Sequence, residues 1–348
     1  MRPVVTAAEV EALIRSGGDV RGLPVDAVYT PSALDLIRDH QRRTTRAGAA
    51  SGSPAAPATP PSSKSSKAEL DAFFTSAYCR DIKEQICDIG RRLWQRAYVD
   101  GNGGNVAVRV GENLALCTPT LVSKGFMTPE HMCLVDFDGQ QLCGDRKRTS
   151  EIMMHLQIMA RQPRAAATVH CHPPYATGFA VAGIAPPSCL VSEYELFASV
   201  AIAPYRTPGT PDVGRLAADL VDQHNIVLLA NHGVVSWSHL GVEDAYFKME
   251  ILEAYCRTVL VTAQLGVPAN TMTPTQVQDL LKIKRGLDIP DPRHGLKDAE
   301  LCDNTQWNPG VQCATPGPDG APVPPTRAEL EALVRAITDE ILAQWRPS

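Results

Sequence analysis

Residues 41–68, QRRTTRAGAASGSPAAPATPPSSKSSKA, contain no Ile, Leu, Val, Met, Cys or aromatic residue. A run this long without core-forming side chains cannot bury enough apolar surface to offset the entropy of ordering it. It carries five basic groups and no acidic one, a composition that keeps a chain extended and solvated. It is expected to be a disordered linker that divides the 348-residue chain. A second linker is expected over 301–325, where NPGVQCATPGPDGAPVPP sets Pro and Gly too densely for a helix or a central strand.

Residues 1–40 read as an N-terminal helical extension. Thr6 and Glu9 stand at capping-box spacing ahead of Val10, Leu13 and Ile14, and Thr30-Pro31 opens a second short helix through Leu34 and Ile37. Residues 326–348 place Leu330, Leu333, Val334, Ile337, Ile341, Leu342 and Trp345 on one face of an amphipathic helix. Each end piece has an apolar face and too little chain to cover it.

Residues 69–300 form the expected globular domain. Helices at 69–98, from Thr149 to Arg161, after Pro173-Pro174 and near 242–265 are interspersed with strands in NVAVRV, LALCT, CLVDFDG, AATVHCH, IAPY and NIVLLANH. Strict βαβ alternation is missing, which points to an α/β sandwich and away from a barrel or doubly wound sheet. The net charge of −5 argues against a nucleic-acid partner. No apolar run approaches the ~20 residues of a membrane span, so a cytoplasmic protein without a membrane partner is expected. The ten cysteines include no CxxC pair and are expected to be reduced and mostly buried.

Chemistry concentrates in three places. In His170-Cys171-His172 two imidazoles at i and i+2 leave one face of a strand that Pro173-Pro174 then ends. A third histidine, His232, follows the apolar strand IVLLA in Asn231-His232-Gly233. Three imidazoles with an open fourth position suit a catalytic Zn²⁺, although strand-end histidines also occur without metal. Glu151 follows Thr149-Ser150 at a helix start, where a first-turn acid is common without any site. His155, four residues on, reads as a partner or packing residue. Between a helix and a strand, Gly101-Asn102-Gly103-Gly104-Asn105 exposes backbone N–H groups that can hold an anion or simply make a tight turn.

In order and spacing these segments resemble the class II (metal-dependent) aldolase/adducin family over roughly residues 70–265. The likeness rests on the Gly-Asn loop, Thr118-Pro119-Thr120, the Thr-Ser-Glu helix start, His-x-His-Pro-Pro, Ala203-Pro204-Tyr205 through Gly209-Thr210, and Asn231-His232-Gly233. It implies a three-layer α/β/α sandwich with a central, mainly antiparallel sheet, and a homotetramer with active sites between subunits. It implies that His170, His172 and His232, with Glu151, hold one Zn²⁺ or other divalent ion per subunit. Glu151 would also move a proton, and Tyr194 would protonate the aldehyde from across a subunit boundary. Asn105, Thr120, Thr149 and Ser150 match the phosphate-binding positions. Leu121 stands where the family has glycine and Ala107 where serine is frequent, which weakens the case for phosphate relative to the metal.

The implied reaction is cleavage of a ketose 1-phosphate of the L-fuculose or L-rhamnulose type to dihydroxyacetone phosphate and lactaldehyde. A sugar-phosphate 4-epimerase, a decarboxylase and a methylthioribulose-phosphate dehydratase share the metal site, and a non-catalytic adducin-like scaffold is the alternative of another class. The end pieces resemble targeting extensions of bacterial-microcompartment cargo. That resemblance implies shell or cargo proteins as partners of the terminal helices and a location inside such a compartment.

Overall fold

The computed structural model describes residues 60–302 without a break, together with 4–15, short stretches between 20 and 37, and 56–57. The amphipathic helix expected at 326–348, the second linker beyond residue 302, and residues 41–55 and 58–59 of the first lie outside the described residues.

At the N-terminal end, β1 (Val4–Val5) and β2 (Val28–Tyr29) pair in parallel beside α1 (Ala7–Arg15). The expected capping box forms, with Thr6 N donating to Glu9 Oε2 at 2.8 Å and Glu9 N to Thr6 Oγ1 at 3.5 Å. Val5, Val10 and Ala33 are buried against Ile14, Leu23, Tyr29, Leu36 and Ile37. The expectation that this piece leaves its apolar face bare is thereby corrected, because strand pairing lets 4–37 gather those side chains among themselves.

The linker expected to reach residue 68 is already ordered where its last residues meet the domain. Ser63 N donates to Asn113 Oδ1, and Asn113 Nδ2 donates to Ser63 Oγ at 2.7 Å. Ser66 then caps α2 (Lys67–Phe74) through a capping box with Glu69. The helix expected at 69–98 is in fact two, because Ser76 accepts a bond from Cys79 N and starts α3 (Ala77–Gln95) afresh.

The sheet follows from β3 (Asn105–Arg109), β4 (Leu114–Cys117), β5 (Cys133–Asp136), β6 (Gln141–Cys143), β7 (Ala167–Cys171), β8 (Val200–Ala203), β9 (Ile226–Leu229) and β10 (Gly233–Ser238). Their spatial order is β6-β5-β4-β3-β7-β10-β9-β8, antiparallel throughout except for the β8/β9 pair. Between these strands run α4 (Ile152–Arg161), α5 (Pro174–Ala182), α6 (Ser192–Phe197) and α7 (Pro211–Ala218), followed by α8 (Val242–Gln264) and α9 (Pro274–Gly286).

Alternation sorts the side chains between two cores. Val106, Val108, Leu114, Leu116, Val169 and Val234 pack with α3 and α8 on one face. Ala107, Ala115, Cys117, Val227, Val235 and Trp237 pack with α4 and α7 on the other. The fold is thus the expected three-layer α/β/α sandwich around a mainly antiparallel sheet.

Among the contacts that fasten the segment after α8 to this body are a disulfide and a buried ionic network. Cys189 and Cys302 form a disulfide across 113 residues, so these two thiols are not reduced as composition suggested. The other seven cysteines among the described residues are free and buried. Lys284, fully buried on α9, donates to Ala198 O and to Asp291 Oδ2, each at 2.6 Å. Arg293 bridges Asp291 and Glu195. Burial alone would raise the Asp291 carboxyl, but the Arg293 guanidinium and Lys284 ammonium overcome it and hold the group well below its usual range. Asp291→Ala leaves Lys284 buried without a carboxylate and is expected to cost about 3–5 kcal/mol. A urea midpoint equal to that of the unaltered protein would show that the network does not hold this segment.

Candidate metal centre

Strand register assembles the site. On β7, Ala167, Val169 and Cys171 face one core, which turns Thr168 and His170 to the opposite face, and His172 continues that alternation past the strand end. Asn105 of β3 lies directly opposite His170, and Val235 of β10 flanks it on the other side. His232 sits in the β9–β10 turn, where Asn231 adopts the left-handed conformation at φ 55°. The next residue must be glycine, since a Cβ on Gly233 would stand 2.5 Å from His172 Cδ2. Glu151 enters from the N-terminus of α4, which packs on the same face as His170.

The ligand atoms of His170, His172 and His232 all lie within 4.8 Å of one another. His170 Nε2 stands 3.3 Å from His172 Nε2. The two Glu151 oxygens reach the cluster separately, Oε2 at 3.4 Å from His170 Nε2 and Oε1 at 3.4 Å from His232 Nε2. His170 Nδ1 donates to Val234 O at 2.9 Å, which leaves Nε2 as the acceptor facing the cluster. His172 is fixed through its backbone N–H to Tyr98 O, and the exposed Asp100 carboxylate lies 3.8 Å from its Nδ1.

A buried polar chain orients the carboxylate. Thr168 Oγ1 pairs with His155 Nδ1 at 2.6 Å, His155 Nε2 with Asn105 Oδ1, and Asn105 Nδ2 donates to Glu151 Oε2 at 2.8 Å. His155 is therefore a partner of the site and also part of its packing. Burial lowers its imidazole to about 4, pushes His170 far below the usual histidine value, and lowers His232 as well. All three rings are neutral at physiological pH, the state in which imidazole binds metal.

The remaining expected residues divide into two groups. Thr118–Thr120 lies against 147–149, with Thr149 N donating to Thr118 O and Thr120 N to Lys147 O. This brings Thr120, buried Thr149 and exposed Ser150 to the α4 end that carries Glu151. Tyr194 is elsewhere: it is buried, stacks on Tyr255 with ring centroids 3.8 Å apart, and lines a separate groove of about 300 Å³ with Tyr98 and Glu250. Burial pushes its phenol well up, and the groups whose charge reaches it are Tyr255, Glu195, Cys256 and Arg293, so within one subunit it is not joined to the histidines. Lys124, which sequence reasoning passed over, is buried beside the Gly-Asn loop.

The donors fit a divalent ion. Two atoms bound to one zinc at tetrahedral angles stand roughly 3.4 Å apart, close to the 3.3 Å and 3.4 Å separations seen here. Glu151 Oε1 is moreover buried with no hydrogen-bond partner, as expected of an oxygen that awaits a cation.

Residues 84–260 match the family described as Class II Aldolase and Adducin N-terminal domain. L-fuculose phosphate aldolase of Methanococcus maripaludis is 34% identical over 178 residues, covering 50% of this chain and 92% of that protein. The 3-oxo-tetronate 4-phosphate decarboxylase of Haemophilus influenzae is 30% identical over 203 residues, covering 57% of this chain and 95% of its own. YgbL of Klebsiella pneumoniae superposes with a TM-score of 0.53 at 26% identity, covering 57% of this chain and 97% of its own. The chain belongs to the class II aldolase and adducin family. No helix among the described residues is long and apolar enough to cross a membrane.

The lowered histidines give stability a defined pH dependence. Just below pH 6.5 the unfolded chain binds protons that the folded chain refuses, so stability is complete above 6.5 and is lost as pH falls. For His155 the loss continues to about 4 and amounts to on the order of 3 kcal/mol. Urea midpoints of metal-free protein should decline over this window and decline less in His155→Asn. A profile that is flat from neutrality down to pH 4.5 would contradict the neutral buried rings.

Proposed function

We propose that this chain is a metal-dependent aldolase that cleaves a ketose 1-phosphate of the L-fuculose or L-rhamnulose type to dihydroxyacetone phosphate and lactaldehyde. The carrying observation is the convergence of three imidazoles with Glu151 on one face of the sheet. His170, His172 and His232 would hold the ion, zinc in this reading, with Glu151 as a further ligand in the resting site. Bound there, it would supply a Lewis acid for the ketose carbonyl.

The chain's own groups supply the rest. Asn105 Nδ2 holds Glu151 Oε2, so Oε1 is the oxygen free to take the hydroxyl proton at C4 as the C3–C4 bond breaks and to return it to carbon. Asn105, Thr120, Thr149 and Ser150 would bind the phosphate end. Tyr194 could act on the aldehyde only from a neighbouring subunit, consistent with the homotetramer that the family resemblance implies. The 30% identity to a decarboxylase, 95% of whose length is covered, supports a second reading as a decarboxylase of a phosphorylated 3-oxo acid.

Metal-loaded protein should release two carbonyl fragments from L-fuculose or L-rhamnulose 1-phosphate, followed by NMR. Chelator should abolish turnover, and Glu151→Gln should lower kcat by about 10²–10⁴-fold. Carbon dioxide release from an oxo-acid phosphate would favour the decarboxylase. Full turnover after complete metal removal would reject both.

In this reading the end pieces deliver the enzyme to the shell of a bacterial microcompartment, where the aldehyde product stays confined. The support is the apolar stripe of 326–348 behind a Pro/Gly-rich tether. A fluorescent protein fused to residues 308–348 should form foci when co-expressed with shell proteins. Diffuse fluorescence would reject targeting by that segment.

A further inference from the structure

Lys124 opens a 3-10 turn, Lys124–Phe126, and its side chain is only 1% exposed. Its ammonium donates to Asn102 O at 2.9 Å and to Val122 O at 2.7 Å. Among the described residues no ion pair accompanies these bonds, and the carboxylate whose charge reaches it is Glu151. Burial pulls the ammonium down to about 8.

The Asn102 carbonyl belongs to the loop that borders the histidines, and the Val122 carbonyl to the stretch after Thr120, which lies against the helix end that carries Glu151. The Asn102 loop runs so close that a Cβ on Gly103 would stand 3.2 Å from His172 Nδ1, and one on Gly104 would stand 3.0 Å from His170 O. It leads directly into Asn105. Val122 follows Thr120 and Leu121, and Leu121 is held at φ 58° with its side chain 78% exposed.

Taking an ammonium out of water costs several kcal/mol unless its charge is compensated. Two carbonyl dipoles compensate it in part and occupy two of its three donors. A neutral amide could tie the loops together without that cost. What a cation adds is a positive potential, only weakly screened at low dielectric.

We propose that Lys124 is a positioning residue that clamps the loop bordering the histidines to the loop beside the Glu151 helix end and gives their shared face its selectivity for an anionic substrate end. In taking a phosphate ester as that end, the proposal rests on the functional reading above.

Inorganic phosphate is the probe, titrated calorimetrically into metal-loaded wild type, Lys124→Met, Lys124→Gln and Lys124→Arg, with metal content and melting temperature measured alongside. The neutral variants should bind phosphate about tenfold more weakly or worse, about 1.4 kcal/mol, with unchanged bound metal, and Lys124→Arg should recover most of the affinity. With the phosphorylated ketose, KM should rise more than kcat falls. Unchanged phosphate affinity in a folded, metal-loaded neutral variant would overturn the proposal. Failure of both neutral variants to fold would also overturn it, since Lys124 would then serve the fold alone. If wild type binds phosphate through Lys124 yet cleaves no ketose phosphate, the functional reading fails and this proposal stands.

Discussion

The alignment of β3, β7 and β10 in the middle of the sheet is the constraint on which this molecule depends. Asn105 opposite His170, and Val235 on its other side, fix which face of the sheet is polar. A slip of one residue along β7 would turn His170 into the apolar layer filled by Val169 and Cys171 and bring those two into the site. Strong apolar packing on both faces makes such a slip costly, so the core selects the register and the register builds the site.

Placing five polar side chains between two apolar layers is tolerable because hydrogen bonds satisfy them. Thr168, His155, Asn105 and Glu151 form a continuous series, and Val234 O engages His170. Neutral rings avoid the penalty of buried charge, and the same neutrality leaves their lone pairs available. Conditions that make the histidines acceptable in a core also leave them able to bind a metal ion.

Much of this was legible in the sequence. His170 and His172 declared themselves by spacing two apart on a strand broken by prolines, whereas Glu151 stood out only through the family resemblance, since a first-turn acid at a helix start is common without a site. The shared direction of His170 and His172 could be read because alternation converts sequence spacing directly into direction. The short helices α6 and α7 span too few turns for periodicity to show. β10, GVVSWS, is buried on both faces and mixes Ser with Val, so it presents neither alternation nor an apolar run. A lysine such as Lys124 reads as solvated until the fold closes over it. The bridge between Cys189 and Cys302 joins positions 113 residues apart, which no local pattern reveals. Residues 60–66 looked like free tether because hydrogen bonds from Asn113, and not apolar burial, hold them.

The covalent and ionic fastenings beyond α8 answer to different chemistry. A reductant opens the sulfur bridge and leaves the Lys284–Asp291–Arg293 contacts untouched, whereas acid weakens the carboxylate and spares the bridge. A reductant alone therefore leaves the ionic clasp and the apolar contacts of Val277, Leu281 and Leu301 in place, so this flank of the enzyme should stay closed in reducing surroundings at neutral pH.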